Sequence, residues 1–364
     1  MASKVLIFLG AGASKPFGIP TTKEFVGEFA KYLKESKSSQ EEIELYRDIE
    51  IFLFNRFRPN DDLENILTVL SNFASDITVR KLGPTADYYV HRYYAERLRG
   101  KKSRRITLDT GKRKKDIETA KVLADKLKKF VWEKCYSPNQ DKILEVYDRF
   151  FERIAGATPS RQSTVEGTSY PPCEIFTTNY DLCVETYCKI RGIEINRGIE
   201  HDRALQYSTL KFENYTHSYN VRLFKLHGSI DLYKLKSGHI IQDTFRLQPG
   251  AKTPYGDEIV EEWMVYPVQE KYIYQEPFFS MFSELKKQLE VTAYWIVVGH
   301  SFRDDAIKNI FVDAQKRGKK IVLLDKNAER IVSENLQPIS KSVKLIEGEF
   351  ESKEAIEALF EILK

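Results

Sequence analysis

The run Val5-Leu6-Ile7-Phe8-Leu9 is apolar at every position and stops at Gly10. A strand with one wet face alternates in polarity. One with no polar position reads as buried on both faces of a parallel sheet. Similar runs recur at 174–177, 222–226, 293–298, 320–324 and 343–346, several followed by polar or glycine turns and helix-like patterns. The best-marked helix opens at Asp304-Asp305 and carries Ala306, Ile307, Ile310, Phe311 and Ala314 on its apolar face. It closes at Lys316-Arg317-Gly318. Acids at its start and bases at its end suit the helix dipole, and Gly318 suits a C-terminal cap. Strand–helix alternation of this kind predicts an α/β fold, a Rossmann-like doubly wound parallel sheet.

Residues 28–150 read differently. The stretch is long, charged and helix-patterned, with Ile49, Phe52 and Leu53, then Leu63, Ile66, Leu67 and Leu70, then Val122, Leu123, Leu127 and Val131. We expect a helical insertion over 28–150, with 1–27 and 151–364 forming one sheet domain. The 364 residues allow about two domains, or one large core plus an insertion. Apolar residues at 42% and aromatics at 12% exclude global disorder.

The chain holds 57 basic and 53 acidic residues, so a net charge of +4 names no nucleic-acid or membrane partner. No run approaches the roughly 18 apolar residues of a membrane span. The start, Met1-Ala2-Ser3-Lys4, does not read as a secretory signal. One local exception is the run 101–115, from Lys101 to Lys115, with eight basic residues and the single acid Asp109. It could contact phosphate backbones or an acidic partner surface. A solvated loop is the simpler reading, because no aromatic side chain is there to stack on a base. Residues 156–172, rich in Ser, Thr, Pro and Gly, read as a second loop.

The cysteines are Cys135, Cys173, Cys183 and Cys188, and no two have C-x-x-C spacing. Neither a zinc knuckle nor a thioredoxin-type site is supported, and no metal is expected. Cys183 and Cys188 form an apolar stripe with Val184 and Tyr187 on an expected helix. Reduced thiols and no signal point to the cytoplasm.

Five motifs carry chemistry, each at a strand end. Gly10-Ala11-Gly12-Ala13-Ser14 would bring backbone amides close to a pyrophosphate. Lys15 stands where the dinucleotide fingerprint needs its third glycine, so a ligand-free tight turn is the alternative. Thr177-Thr178-Asn179-Tyr180-Asp181 places an amide and a carboxylate where ribose hydroxyls or a water would be met; taken alone, capping of the next helix explains it as well. Lys225-Leu226-His227-Gly228-Ser229 offers His227 as a general base, although a lone histidine is more often structural. The other histidines, His91, His201, His217 and His239, have no such context, while His300 follows a strand. Val298-Gly299-His300-Ser301 is a second backbone cradle, and Leu324-Asp325 offers an acid to a ribose.

In this order, with Gly18-Ile19-Pro20 after the first turn, the motifs resemble the sirtuin family. The resemblance spans 5–27 and roughly 173–347 and leaves the helical stretch unmatched. It implies NAD as the ligand. Gly10, Ala11, Gly12 and Ser14 would then hold the phosphates, and Asn179 and Asp181 would flank the nicotinamide ribose. His227 would be the base, Gly299, His300 and Ser301 would line the adenosine side with Asp325, and Thr177 would join the nucleotide-binding set.

The match departs from sirtuin deacylases in three places. Thr21-Thr22-Lys23 replaces their Asp-Phe-Arg, their paired C-x-x-C zinc module is missing, and the gap from Asn179 to His227 is longer. The pattern is similar to the prokaryotic sirtuin-like NAD hydrolases of antiphage defence, whose NAD depletion arrests infected cells. Some of these assemble with a HerA-type hexameric ATPase. The expectation is therefore an NAD+ glycohydrolase, a homo-oligomer, with Asn179, His227 and Asp181 catalytic. No fused sensor is expected after residue 347, only the amphipathic stretch 352–363, so a separate activating partner is expected. Protein deacylation, ADP-ribosyl transfer, and a non-catalytic NAD- or ADP-ribose-sensing subunit of a larger ATPase or nuclease complex are the alternatives.

Overall fold

A computed structural model describes residues 5–56, 63–74, 110–157, 163–165, 168–170, 173–203, 206–215, 220–254, 256–264, 276–292, 294–315 and 320–363. In chain order its strands are β1 (Val5–Leu9), β2 (Ser163–Val165), β3 (Thr168–Tyr170), β4 (Cys173–Thr177), β5 (Ile195–Asn196), β6 (Ile199–Asp202), β7 (Tyr207–Leu210), β8 (Val221–Lys225), β9 (Gly228–Leu235), β10 (Ile240–Gln242), β11 (Ile259–Met264), β12 (Tyr294–Val298), β13 (Lys320–Asp325) and β14 (Val343–Glu347). Seven of them form a parallel sheet in the order β14-β13-β12-β1-β4-β8-β5. All six apolar runs named above are strands of this sheet. The seventh, β5, has two residues and carries no pattern a sequence could show.

Register fixes where the chain leaves the sheet. Leu9 lies opposite both Val298 and Thr177, Thr177 opposite Lys225, and Val298 opposite Leu324. The residues that follow this row therefore emerge along one carboxyl edge. From β1 the chain builds outward through β4 and β8, then returns to the other side of β1 with β12. The topological switch point lies between β1 and β12, where open α/β sheets bind their ligands. Leu6, Phe8, Phe224, Trp295 and Val297 are buried along the sheet, each such side chain contributing about 1.5–3 kcal/mol.

A second sheet, antiparallel and five-stranded, has the order β11-β9-β10-β7-β6. No strand alternation announces it. All of β9 except Lys234 is buried, so it has no solvent-exposed face, and register shifts interrupt its pairing with β11.

The contacts divide the chain into two compact units, 1–19 with 135–364, and 20–134. In the second unit Thr21 and Glu24 form a reciprocal capping box for the helix Thr22–Glu35. Its core gathers Phe25, Phe29, Tyr46 and Phe130, with Phe29 5.1 Å from Tyr46 and 5.6 Å from Phe130 between ring centroids. Ile49, Leu53, Leu63, Ile66, Leu67, Leu70, Leu123, Leu127 and Val131 are buried as their spacing implies, but Val122 is 43% exposed. Val122 lies on the outer side of the helix Thr110–Tyr136, next to the stripe rather than in it. The side chain of Phe52 lies outside the described residues.

That helix also corrects the basic run. From Thr110 onward it is helical rather than a loop, and Lys115 pairs with Glu41 at 2.9 Å. Residues 101–109, His91, His217 and Gly318 lie outside the described residues. Within 156–172, the strands β2 and β3 pair antiparallel. The helix Asp305–Gln315 buries Ile307, Phe311 and Ala314, as its apolar face requires. All four cysteines are buried and unpaired, and burial pushes the Cys173 thiol up to about 12. Among the described residues no helix is long and apolar enough to cross a membrane.

Candidate functional site

The two glycine turns pack on each other. The Gly10 amide donates to the Val298 carbonyl and the Gly12 amide to the Gly299 carbonyl, both at 2.9 Å. A Cβ on Gly10 would sit 2.6 Å from Gly299 O, and one on Gly12 would sit 2.8 Å from Gly299 Cα. Gly299 has φ +63, and a Cβ there would lie 2.3 Å from the Ala13 nitrogen. These glycines are demanded first by one another. Two of the amides a phosphate would seek are already committed within the protein. The chain continues from Ala11 as a 3-10 helix, Ala11–Phe17, closed by Gly18.

The second motif is anchored to the first. Thr177 Oγ1 donates to the Leu9 carbonyl at 2.9 Å and accepts from the Asn179 amide at 3.0 Å. The Asn179 side chain spends both Nδ2 protons, on Gly10 O and on Ser14 Oγ, at 2.9 Å each. Its Oδ1 is left as the acceptor with no partner among the described residues. Ser14 Oγ in turn donates to Asp181 Oδ2 at 2.7 Å, and Asp181 Oδ1 accepts from the Cys183 amide at 3.0 Å, at the start of the helix Cys183–Arg191. Asp181, just before the Leu182 N-cap, thus holds the first amide of that helix and ends a buried chain of donors.

Charge is concentrated beneath this loop. Lys225, buried at the end of β8, donates to the carbonyls of Tyr180 and Asp181 and lies 3.2 Å from Glu185. Arg197 reaches Asp231 at 2.7 and 3.0 Å and lies 3.1 Å from Glu185. Gln242 adds a donor to Asp231 at 2.7 Å. Burial alone would raise the Asp231 carboxyl, but the Arg197 guanidinium outweighs it and holds the group well below the usual carboxylate range. Two cations and two carboxylates compensate one another and tie the antiparallel sheet to the Asn179–Asp181 loop.

His227 lies two residues past the end of β8 and immediately before β9. Gly228 has φ +81, and a Cβ there would lie 2.1 Å from the Trp263 carbonyl, so the His-Gly step is needed where β11 closes on β9. His227 is buried, with Nε2 3.1 Å from Asp304 Oδ2. Its Nδ1 is also buried and has no hydrogen-bond partner among the described residues. Leaving such an atom unpaired costs about 1–3 kcal/mol, so Nδ1 is an acceptor that a donor entering the site would satisfy. Asp304 Oδ1 accepts from the amides of Ala306 and Ile307 at 2.8 and 3.3 Å. Burial raises the Asp304 carboxyl, but the His227 ring lowers it further, so it is held below its ordinary value.

His300 is buried, and its Nδ1 accepts from the Phe302 amide at 3.1 Å. Burial lowers its pKa to about 4, against an upward pull from Asp304. Ser301 and Asp325 are half-buried at the same edge. The Ser301 carbonyl accepts from Asn335, and Asp325 Oδ1 accepts from the Asn327 amide.

The structure therefore links Ser14, Asn179 and Asp181 by hydrogen bonds, and packs Gly10 and Gly12 on Gly299. His227 and His300 both face the charge of Asp304. Among the described residues the Asp325 side chain bonds within its own turn, to the Asn327 amide. Reading the sequence missed the roles of Asp304, Lys225, Arg197, Asp231 and Glu185. Lys225 had a signal, a charge ending an otherwise buried strand. Asp304 was visible only as a helix opener.

Residues 173–344 match the family model described as a SIR2-like domain. That segment holds Asn179, Asp181, His227 and Gly299 but not the first glycine turn. No curated protein matches the sequence. Among solved structures, the chain is similar to a Sir2 homologue in complex with NAD, at 14% identity and a TM-score of 0.48, over 100% of this chain and 91% of that one. A variant Sir2 homologue in complex with ADP-ribose is similar at 14% identity and a TM-score of 0.45, over 100% and 92%.

Proposed function

We propose, from the SIR2-like match and the geometry at the sheet edge, that this chain is an NAD+ glycohydrolase. It cleaves the bond between nicotinamide and ribose to give nicotinamide and ADP-ribose. The observation that carries this reading is a pair of acceptors with no partner among the described residues, Asn179 Oδ1 and His227 Nδ1, in a site whose other polar groups are nearly all paired.

The chemistry needs little acid catalysis. Nicotinamide leaves as a neutral base from a cationic ring, taking the bonding pair, so no proton must reach it. The demand is to stabilise an oxocarbenium-like ribose and bring water to it. Asn179 Oδ1 accepts from that water or a ribose hydroxyl, and the Asp181 carboxylate stabilises the developing positive charge. His227 takes the proton released when water or a hydroxyl attacks. The phosphates are held at the switch point beside Ala11 and Ser301, because the amides of Gly10 and Gly12 are already used. Asp325 is assigned to the adenosine ribose and His300 to the wall beside it.

Incubation of the purified chain with NAD, with and without acylated peptides or protein acceptors, separates the chemistries. Equimolar nicotinamide and ADP-ribose without an acceptor supports hydrolysis. Product formed only with an acceptor supports transfer or deacylation, and tight binding without turnover supports a sensing subunit.

The wider setting rests on the motif resemblance. We assign the activity to antiviral defence by abortive infection, in the cytoplasm, where four reduced thiols are stable. A homo-oligomer and an activating partner of the HerA ATPase type belong to the same proposal. Activity that appears only when such a partner is added would support it.

A further inference from the structure

We infer that Asp304 is a positioning residue that fixes His227 as the Nε2–H tautomer, leaving Nδ1 as the nitrogen that accepts the proton. The tautomer follows from contacts within this chain. What Nδ1 then does rests on the hydrolase reading above.

An ionised carboxylate only accepts hydrogen bonds, so the 3.1 Å contact between His227 Nε2 and Asp304 Oδ2 requires the hydrogen on Nε2. Nδ1 then carries the lone pair, and it is the nitrogen that is buried without a partner among the described residues. The carboxylate cannot turn away. Its other oxygen is held by the first free amides of the helix Asp305–Gln315, at Ala306 and Ile307. The third titratable group here, His300, receives the Phe302 amide on its own Nδ1 and is uncharged at neutral pH. Asp304 is therefore the nearby negative charge that can balance a protonated His227. When water oxygen bonds to C1′ and the C1′–nitrogen pair leaves with nicotinamide, the water proton passes to Nδ1. The imidazolium is then compensated through Nε2–H and Asp304 until the proton returns to solvent.

The sequence offers Asp304 only as a helix opener, and both roles are filled by one side chain. That double use makes Asp304→Asn a sharp test. The amide oxygen must stay on the helix amides, because an NH2 group cannot cap them. Nδ2 then faces His227 and donates to Nε2, which forces the hydrogen onto Nδ1. In a Ser-His-Asp triad the same Asp→Asn change imposes the wrong tautomer and lowers kcat about 10⁴-fold.

The experiment is ¹⁵N NMR of the imidazole nitrogens in wild type, Asp304→Asn and Asp304→Ser, with NAD turnover and NAD affinity measured on the same proteins. We expect Nε2–H in wild type and Nδ1–H in Asp304→Asn. We expect turnover to fall by at least about 100-fold while NAD affinity changes little. Asp304→Ser, which also caps the helix, is expected to lose the single tautomer and to lose turnover as well. An Nδ1–H signal in wild type, or Asp304→Asn turning over at the wild-type rate, overturns the proposal. If wild type does not consume NAD at all, the hydrolase reading fails, whereas the tautomer assignment is still decided by the spectra.

Discussion

The Ser14 hydroxyl donates to Asp181 Oδ2 at 2.7 Å, joining side chains 167 residues apart in the chain. Ser14 Oγ also accepts an Asn179 Nδ2 proton, at 2.9 Å. Ser14→Ala leaves a buried carboxylate oxygen without its donor and an amide proton without its acceptor. We expect a loss of about 1–3 kcal/mol in urea unfolding. NAD turnover should also fall, because Asn179 is no longer held in one orientation. Unchanged stability and rate would show the hydrogen bonds to be incidental.

The Arg197–Asp231 pair is buried, with side-chain exposures of 11% and 5%, and so behaves differently from a surface ion pair. Removing one partner strands the other. Asp231→Ala is expected to destabilise the fold by about 3–5 kcal/mol, and an Arg197→Met, Asp231→Leu double variant by less than the sum of its parts. Denaturant midpoints of wild type, Asp231→Ala, Arg197→Met, Asp231→Leu and the double variant decide this, and strict additivity of the last three would contradict it.

Two glycines of similar dihedral should respond unequally to alanine. Gly18 has φ +85 with nothing near its absent side chain, so Gly18→Ala meets only the left-handed backbone penalty of about 1–2 kcal/mol. Gly299→Ala meets that penalty and the backbone of Gly12 and Ala13 as well. Its melting temperature should fall much further, with loss of NAD binding. Equal melting temperatures would mean that the two turns do not pack as described.

His300 sets an acid limit on stability. Burial depresses its folded pKa to about 4 from an ordinary 6.5. The unfolded chain therefore binds more protons between these values, and stability falls as pH drops through the window. The loss is on the order of 3 kcal/mol by pH 4. Asp304, also held below its ordinary value of 3.8, contributes only at still lower pH, as its carboxylate protonates. Melting temperature against pH should fall less steeply between 6.5 and 4 in His300→Asn than in wild type. Parallel curves would contradict the assignment.

Much of the parallel sheet was legible because strands buried on both faces write themselves as uninterrupted apolar runs. The strands β1, β12 and β13 are the clearest cases. The motifs at their ends were legible because glycine and polar residues abruptly follow those runs. The antiparallel sheet was not, since β9 is buried on both faces and carries Ser229 and Asp231 inside. Its polar positions serve Arg197 and Tyr180 rather than solvent. Nor could spacing pair His227 with Asp304, 77 residues away, because that contact depends on the order in which β8 and β12 join the sheet. The glycine pattern points to ligand contacts, and in the fold Gly10, Gly12 and Gly299 are first of all contacts with each other.

The central claim is that Asn179 and His227 act on NAD itself. The most direct measurement is the rate of nicotinamide release from NAD by the full chain, with no acceptor present, alone and with a HerA-type ATPase, beside Asn179→Ala and His227→Ala. The account predicts release by wild type in at least one of these conditions and a loss of about 10²–10⁴-fold in each variant, with melting temperatures preserved. Release by either variant at the wild-type rate, or none from wild type under any condition, would contradict it.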